Sequence, residues 1–83
     1  MEALLQHMVR GLVHHPGEVR VRELASGRGQ LWELRVDPRD FPRVIGRGGR
    51  TARALREVLE AAGRGPVLPR LNIVDPEDDG QPV

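Results

Sequence analysis

A glycine-rich loop between two short helical patterns is the feature that most constrains how this chain can fold. Gly46, Gly48 and Gly49 lie close together and follow the apolar pair Val44-Ile45. Glycines permit positive φ angles and lack the Cβ atoms that would keep another backbone at a distance. The helix that follows directs its free N–H groups towards the loop, an arrangement that suits phosphate oxygens. The pattern therefore predicts a turn that a sugar-phosphate backbone can approach closely.

The length and the cysteine content limit the class of protein. A chain of 83 residues is enough for one small domain with a marginal core. The sequence has no cysteine, so disulfide bonds and cysteine-ligated metals cannot stabilise it. We expect one domain over residues 1–74 and an acidic, disordered tail over residues 75–83. The acidic start and the lack of a long apolar run predict neither a signal peptide nor a membrane span, and favour a cytoplasmic protein.

The net charge of +1 conceals a strong asymmetry along the chain. Residues 75–83 carry four acids, whereas residues 1–74 carry 13 arginines and eight acids, a net charge of +5. Six of these arginines and a single acid, Asp40, lie within residues 39–56. Arginine forks bind phosphate well, so the segment predicts a polyanion-binding surface. The absence of lysine is itself better explained by coding bias in a GC-rich genome than by selection for phosphate binding. The tail raises the further hypothesis that it competes with the ligand for these arginines.

Hydrophobic periodicity predicts three helices and three strands in the order α-β-β-α-α-β, an α+β domain. The first two strands most simply pair as an antiparallel hairpin around a loop at residues 25–29. Asp37 and Pro38 resemble a helix start. Pro42 requires either that the second helix begins at Asp40 or that the segment is an irregular turn. The predicted helices span residues 3–13, about 40–44 and about 49–62, and the predicted strands span residues 18–24, 30–36 and 70–74.

Chemical sites other than the loop are not supported by the sequence. His14 and His15 are interpreted as favourable charges at the end of the first helix rather than as metal ligands or acid–base groups. Trp32 is expected in the core, because it lies on the apolar face of its strand. The loop lacks the lysine and the spacing of a Walker motif, and no nucleophile–base pair can be proposed. We therefore expect no enzyme activity, no cofactor and no metal.

The element order and the run Val44-Ile45-Gly46-Arg47-Gly48-Gly49 between adjacent helices resemble a KH domain in the type II arrangement, in which a helix comes first and a strand last. The run over residues 41–56 and the small size are similar to the bacterial proteins that consist of a single KH domain. The resemblance covers residues 3–74. Pro42 departs from it, because related proteins favour a small residue such as glycine there. The resemblance implies a three-stranded sheet packed against three helices.

KH domains hold about four nucleotides of single-stranded RNA across such a loop. The resemblance implies a backbone clamp formed by the loop, an apolar floor for the bases and flanking arginines, although each apolar residue also has a place in the core as an alternative. With only Trp32 and Phe41 as aromatics, we expect weak affinity and loose sequence preference. The implied RNA-binding residues are Arg43, Val44, Ile45, Gly46, Arg47, Gly48, Gly49, Arg50, Arg53, Arg64, Arg70, Leu71 and Ile73.

The third helix carries an apolar face that packs on the sheet, and the resemblance implies that it also forms a dimer. The partner is expected to be a second copy or a larger KH-containing protein, with no membrane and no small-molecule substrate. The expected function is post-transcriptional regulation or RNA chaperoning. The alternative is a protein–protein adaptor that acts mainly by dimerising, against which the intact glycines and arginines argue. The implied interface residues are Leu55, Val58, Leu59 and Ala62.

Overall fold

The computed structural model describes residues 1–24, 31–63 and 69–77. Within these ranges the predicted α+β fold and the order α-β-β-α-α-β are confirmed. The predicted 25–29 loop, most of the connection after residue 63 and the tail from residue 78 lie outside the described residues, so the division at residue 74 stays a prediction. The elements are α1 (Glu2–Arg10), β1 (Arg20–Leu24), β2 (Leu31–Arg35), α2 (Phe41–Ile45), α3 (Arg50–Ala62) and β3 (Arg70–Ile73).

The three strands form one mixed sheet in the order β1-β2-β3. The β1 and β2 strands pair antiparallel, as predicted, with Val21 opposite Leu34. The β3 strand pairs parallel to β2, with Leu71 beside Trp32. A parallel neighbour requires a crossover connection, which α2 and α3 supply. The glycine loop (residues 46–49) therefore lies within the crossover between two neighbouring strands.

One face of the sheet packs against the helices and forms the core. Trp32 and Leu34 of β2 are buried on this face, as are Leu71 and Ile73 of β3. Val36, just after β2, is partly buried against the core. The helices contribute buried side chains from their apolar faces, namely Leu5 and Val9 of α1, Val44 of α2, and Ala52, Leu55 and Leu59 of α3.

The first helix is shorter than predicted. It ends at Arg10, where Gly11 is its C-cap, rather than near Val13. Glycine is a poor helix former, and ending the helix there lets Val13 turn into the core. His14 and His15 therefore lie beyond the helix end, so their interpretation as charges at that end is wrong.

The segment before α2 corresponds to the first of the two predicted alternatives. Asp40 is the N-cap residue of α2, and Pro42 lies in the first turn, where its missing N–H is not needed. The Asp37 carboxylate accepts the backbone N–H of Arg39 at 2.8 Å, so it organises the turn before the helix instead of capping α2 itself. None of the described helices is both long and apolar enough to cross a bilayer.

Candidate nucleic-acid interface

The glycine loop joins α2 to α3 through a single 3-10 turn at Arg47–Gly49. Gly46 has φ 78° and ψ 171°, and Gly48 and Gly49 have φ values of 62° and 79° with ψ near 19° and 14°. These are the positive-φ residues of the described chain, and all of them are glycines. Since L side chains are strained in this region, glycine is suited to each of the three positions.

The glycines of the loop differ in what surrounds them. A Cβ added to Gly46 would overlap the Thr51 hydroxyl and lie 2.9 Å from the backbone nitrogen of Thr51. A Cβ added to Gly48 or Gly49 would have no heavy atom within 4 Å. Gly46 is therefore required for the packing of the loop against α3. The backbone at Gly48 and Gly49 instead faces open space.

Four arginines surround the loop without neutralising partners. Arg43, Arg47, Arg50 and Arg53 are exposed, and no side-chain hydrogen bond or ion pair is found for any of them within the described part of the chain. Arg39 differs, because its Nη2 lies 2.8 Å from Asp37 Oδ2. The N-terminus of α3, which begins at Arg50 directly after the loop, has no side-chain cap. This end of the molecule therefore presents four unpaired cations beside an open backbone.

The apolar residues predicted to line the groove occupy two environments. Val44 and Ile73 are fully buried and Leu71 is nearly so, all in the core. Their side chains therefore take the core alternative and offer no exposed floor. Ile45 is partly buried and packs against the edge of the core. It is the only one of the four with appreciable exposed surface beside the loop.

Arg64 and Arg70 are the two predicted RNA-binding arginines that follow α3 in the sequence. Arg64 lies outside the described residues. Arg70 is exposed at the start of β3, and its neighbour Leu71 is buried against the helices. Because successive side chains of a strand alternate between faces, Arg70 belongs to the face that points away from the helices.

A shallow apolar groove of about 460 Å³ runs between α1 and α3, which we call the α1–α3 groove. Val58 and Leu12 are its large exposed apolar residues, with 41% and 38% of their surface accessible. Leu59, one of the predicted dimer residues, is fully buried in the core and does not reach the surface of the groove. Ala62 is exposed near the end of α3. The groove is lined by His7, Met8, Gly11, Leu12, Thr51, Ala54, Leu55 and Val58.

Asp40 makes contacts that the sequence analysis did not predict. It is only 1% exposed, and its carboxylate accepts the backbone N–H groups of His14 at 3.1 Å and His15 at 2.9 Å. His15 Nδ1 lies 2.9 Å from the same carboxylate. Burial acts to raise the pKa of Asp40, but the hydrogen bonds from His14 and His15 outweigh it and hold the pKa below its usual range. Asp40 thereby fixes the start of α2, the helix that leads into the glycine loop.

No group of three potential ligands among the described residues could hold a metal ion. The one buried side-chain polar atom without a partner in those residues is Nε1 of Trp32, whose ring is in the core as predicted. The exposed arginines, the open backbone of the loop and the apolar groove are features suited to binding another molecule.

Comparison with known proteins agrees with this geometry. A family model described as "KhpA/KhpB, KH domain" matches residues 2–65. The chain is similar to proteins named "RNA-binding protein KhpA". That of Leifsonia xyli subsp. xyli is 49% identical over 71 residues, which cover 86% of this chain and 92% of the relative. The Streptomyces coelicolor protein is 47% identical over 75 residues, covering 90% and 92%. The Mycobacterium tuberculosis protein is 45% identical over 71 residues, covering 86% of each chain. No solved structure matches the chain.

Proposed function

The chain belongs to the KhpA/KhpB family of KH domains, and from this membership we propose that it binds single-stranded RNA across the glycine loop. The family is one of binding proteins and not of enzymes. The observation that carries the proposal is the open backbone at Gly48 and Gly49 among four exposed arginines without partners. A folded chain gains little from cations kept together without counter-charges, whereas a polyanion relieves their repulsion.

In this proposal the loop positions the RNA through its phosphates. Gly48 and Gly49 allow the sugar-phosphate chain to approach the protein backbone, with about four nucleotides across the loop. Arg47 and Arg50 then donate to phosphate oxygens, together with the first-turn N–H groups of α3. Arg43 flanks one side of the loop, and Arg53, one turn further along α3, flanks the other. Phosphate contacts of this kind fix position but carry no sequence information.

Base recognition is expected to be weak. Trp32 is buried and Phe41 packs against the core, so neither of the two aromatic residues offers an open stacking platform. The partly exposed side chain of Ile45 is the apolar surface beside the loop. Aromatic stacking is worth roughly 1–3 kcal/mol per base, and its absence favours low affinity and loose sequence preference in one copy.

Dimerisation would compensate for the weak single site. We propose that the α1–α3 groove, centred on Val58 and Leu12, is covered by a second copy or by a larger KH-containing protein of the KhpB/Jag type. Two linked sites raise affinity through effective concentration without new contacts. A cytoplasmic dimer with these properties acts as a post-transcriptional regulator or RNA chaperone.

Fluorescence anisotropy of a labelled, mixed-sequence single-stranded RNA tests the proposal. We expect Arg47→Asp/Gly48→Asp to abolish binding, because it places two carboxylates where phosphates must approach. Gly48 has open space around it and aspartate tolerates a left-handed backbone better than most residues, so the variant should fold. The wild type should lose affinity as salt rises, since phosphate neutralisation releases counterions.

A matched control is Arg10→Asp/Gly17→Asp. It makes the same change in charge, and Gly17 likewise has no neighbour within 4 Å of an added Cβ. The control should retain most of the binding at moderate salt. If the loop variant binds RNA as well as the control, the loop is not the site. If the wild type binds no RNA, the adaptor function is favoured and protein partners become the object of the search.

A further inference from the structure

A buried carboxylate lies at the start of the helix that leads into the glycine loop. Asp40 is the one charged residue that is buried among the described residues, with 1% of its surface exposed. Its carboxylate has three contacts at 2.9–3.1 Å, namely the backbone N–H groups of His14 and His15 and the Nδ1 atom of His15. Because a charge is costly to bury without partners, these contacts tie α2 to the segment that follows α1.

The side chain of Asp40 does not cap the helix that it begins. An aspartate at the N-cap ordinarily accepts an N–H group of the first helical turn, but α2 has no side-chain cap hydrogen bond. The carboxylate instead binds residues that lie 26 and 25 positions earlier in the chain. A local cap would stabilise α2 alone, whereas this contact fixes where α2 lies relative to another part of the domain.

The short helix α2 depends on such outside contacts for its position. It has five residues, and a helix of this length is not stable in isolation. The carbonyl oxygen of Asp40 accepts the N–H groups of Arg43 at 3.0 Å and Val44 at 3.1 Å. The carbonyl oxygen of Pro42 accepts the N–H group of Gly46 at 2.8 Å. Two overlapping turns of hydrogen bonds therefore connect Asp40 to the first glycine of the loop.

The first glycine of the loop is also held from the side of α3. Gly46 packs so closely against Thr51 that an added Cβ would overlap the hydroxyl group. Its carbonyl oxygen accepts the N–H group of Gly49 at 3.1 Å. The open backbone at Gly48 and Gly49 thus follows a residue that is fixed by both neighbouring helices. A binding loop that is held in place before the ligand arrives loses less entropy when it binds.

We propose that Asp40 is a positioning residue for RNA binding, which holds α2 and thereby the glycine loop in the conformation that receives the phosphates. This inference rests on the proposed function. Asp40 does not touch the RNA, because its carboxylate is buried and has the same sign of charge as a phosphate. Charge alone predicts that removing this acid from the arginine-rich segment strengthens the binding of a polyanion. The positioning role predicts the opposite, since the loop loses its support.

Anisotropy titrations of a labelled 5-nucleotide single-stranded RNA at pH 7 test the inference, after circular dichroism has shown that each variant is folded. Asp40→Asn should bind this RNA roughly 10-fold more weakly than the wild type. Val9→Ala, which truncates a buried side chain of α1, is the control for a general loss of stability. Asp75→Asn is the control for the loss of one negative charge. Both controls should stay within about twofold of the wild type, because neither residue belongs to α2 or to the loop.

Two further measurements separate positioning from a loss of stability. In the free protein, the amide NMR resonances of residues 46–50 should shift or broaden in Asp40→Asn but not in Val9→Ala, because only the first change releases α2. His15→Ala removes one of the three contacts and should weaken binding of the short RNA about threefold. In the Asp40→Asn background the same change should have no further effect on RNA affinity, since both substitutions act through one contact.

The outcomes separate this inference from the proposed function. A folded Asp40→Asn variant that binds the short RNA as tightly as the wild type, or more tightly, overturns the inference and leaves the loop site standing. Equal weakening by Val9→Ala does the same, because Asp40 would then contribute only to stability. If Asp40→Asn does not fold, unchanged binding by His15→Ala overturns the inference. Conversely, if the Arg47→Asp/Gly48→Asp variant binds the short RNA normally, the proposed function fails and the positioning role fails with it.

Discussion

At the scale of single residues, the three glycines of the loop serve different purposes although the sequence presents them as one motif. Gly46 is packed against Thr51, while Gly48 and Gly49 face open space. Their common positive φ values follow from the sharp path between α2 and α3. The sequence could indicate that glycines were needed here, but the difference between packing and access depends on where α3 starts.

We expect Gly46→Ala to destabilise the protein more than Gly48→Ala. Both substitutions force a Cβ into a positive-φ conformation, which costs roughly 1–2 kcal/mol. Only the Cβ at position 46 meets Thr51, so its total cost should exceed about 3 kcal/mol. Urea denaturation followed by circular dichroism measures both losses of free energy. Similar losses at the two positions would contradict the packing role of Gly46.

At the scale of the elements, hydrophobic periodicity predicted which residues are buried more accurately in β2 than in α3. The apolar face of β2 correctly predicted that Trp32 lies in the core, because a strand has only two sides. The apolar face of α3 was predicted to include Val58 with Leu55 and Leu59, yet Val58 is exposed. A helix wraps its apolar stripe through a wide angle, and the part that is covered depends on where α1 packs. That information is not local to the helix.

The different burial of Val58 and Leu59 predicts different results for a charge at each position. Val58→Glu should keep the circular dichroism spectrum and the unfolding midpoint close to those of the wild type while converting a dimer to monomers. Leu59→Glu should lose about 3 kcal/mol or more of folding free energy, because it buries a charge in the core. Sedimentation velocity gives the association state.

Glu60→Lys is the matched control on the same helix, since Glu60 does not line the α1–α3 groove. It should sediment like the wild type. A wild-type protein that is monomeric at micromolar concentration would remove the homodimer and leave the larger KH-containing protein as the proposed partner. A Val58→Glu variant that remains dimeric would place the interface elsewhere.

At the scale of the whole molecule, the contact between Asp40 and His15 joins regions that are far apart in sequence. The pair is separated by 25 residues, and no local pattern connects them. Asp40 could be identified as part of a helix start, but not as an acceptor for the segment after α1. The order of the elements could thus be predicted from the sequence, whereas contacts between distant segments depend on the three-dimensional packing of the complete chain.

This contact predicts a loss of stability in acid. The pKa of Asp40 is below the ordinary value of 3.8, so its ionised form stabilises the folded state above that pH. The contribution should decline as the pH falls from about 4 through the lowered pKa of the folded state. Asp40→Asn should reduce this pH dependence and lower stability at pH 7. Urea midpoints measured between pH 7 and pH 2.5 test both effects.

The control for this experiment is Asp75→Asn, because within the described residues the Asp75 carboxylate accepts one local backbone N–H, that of Glu77. Its acid profile should follow the wild type closely. If Asp40→Asn shows the full acid sensitivity of the wild type, other carboxylates dominate acid unfolding. The Asp37 carboxylate is the first to consider, since its hydrogen bonds to Arg39 also hold its pKa below the usual range.

The mixed sheet has a consequence for the order in which the protein assembles. The hairpin joins residues 7 to 15 positions apart, whereas Leu31 reaches its β3 partner Arg70 across 39 positions. Loop-closure entropy makes the longer segment only about 0.8–1.5 kcal/mol more costly in free energy than the hairpin, but its closure requires α2, the loop and α3 to be arranged first. We expect the hairpin to form early and β3 to dock last. On a ribosome, the β3 strand is also the last element to emerge, so the loop gains its final geometry only when synthesis of the domain is nearly complete.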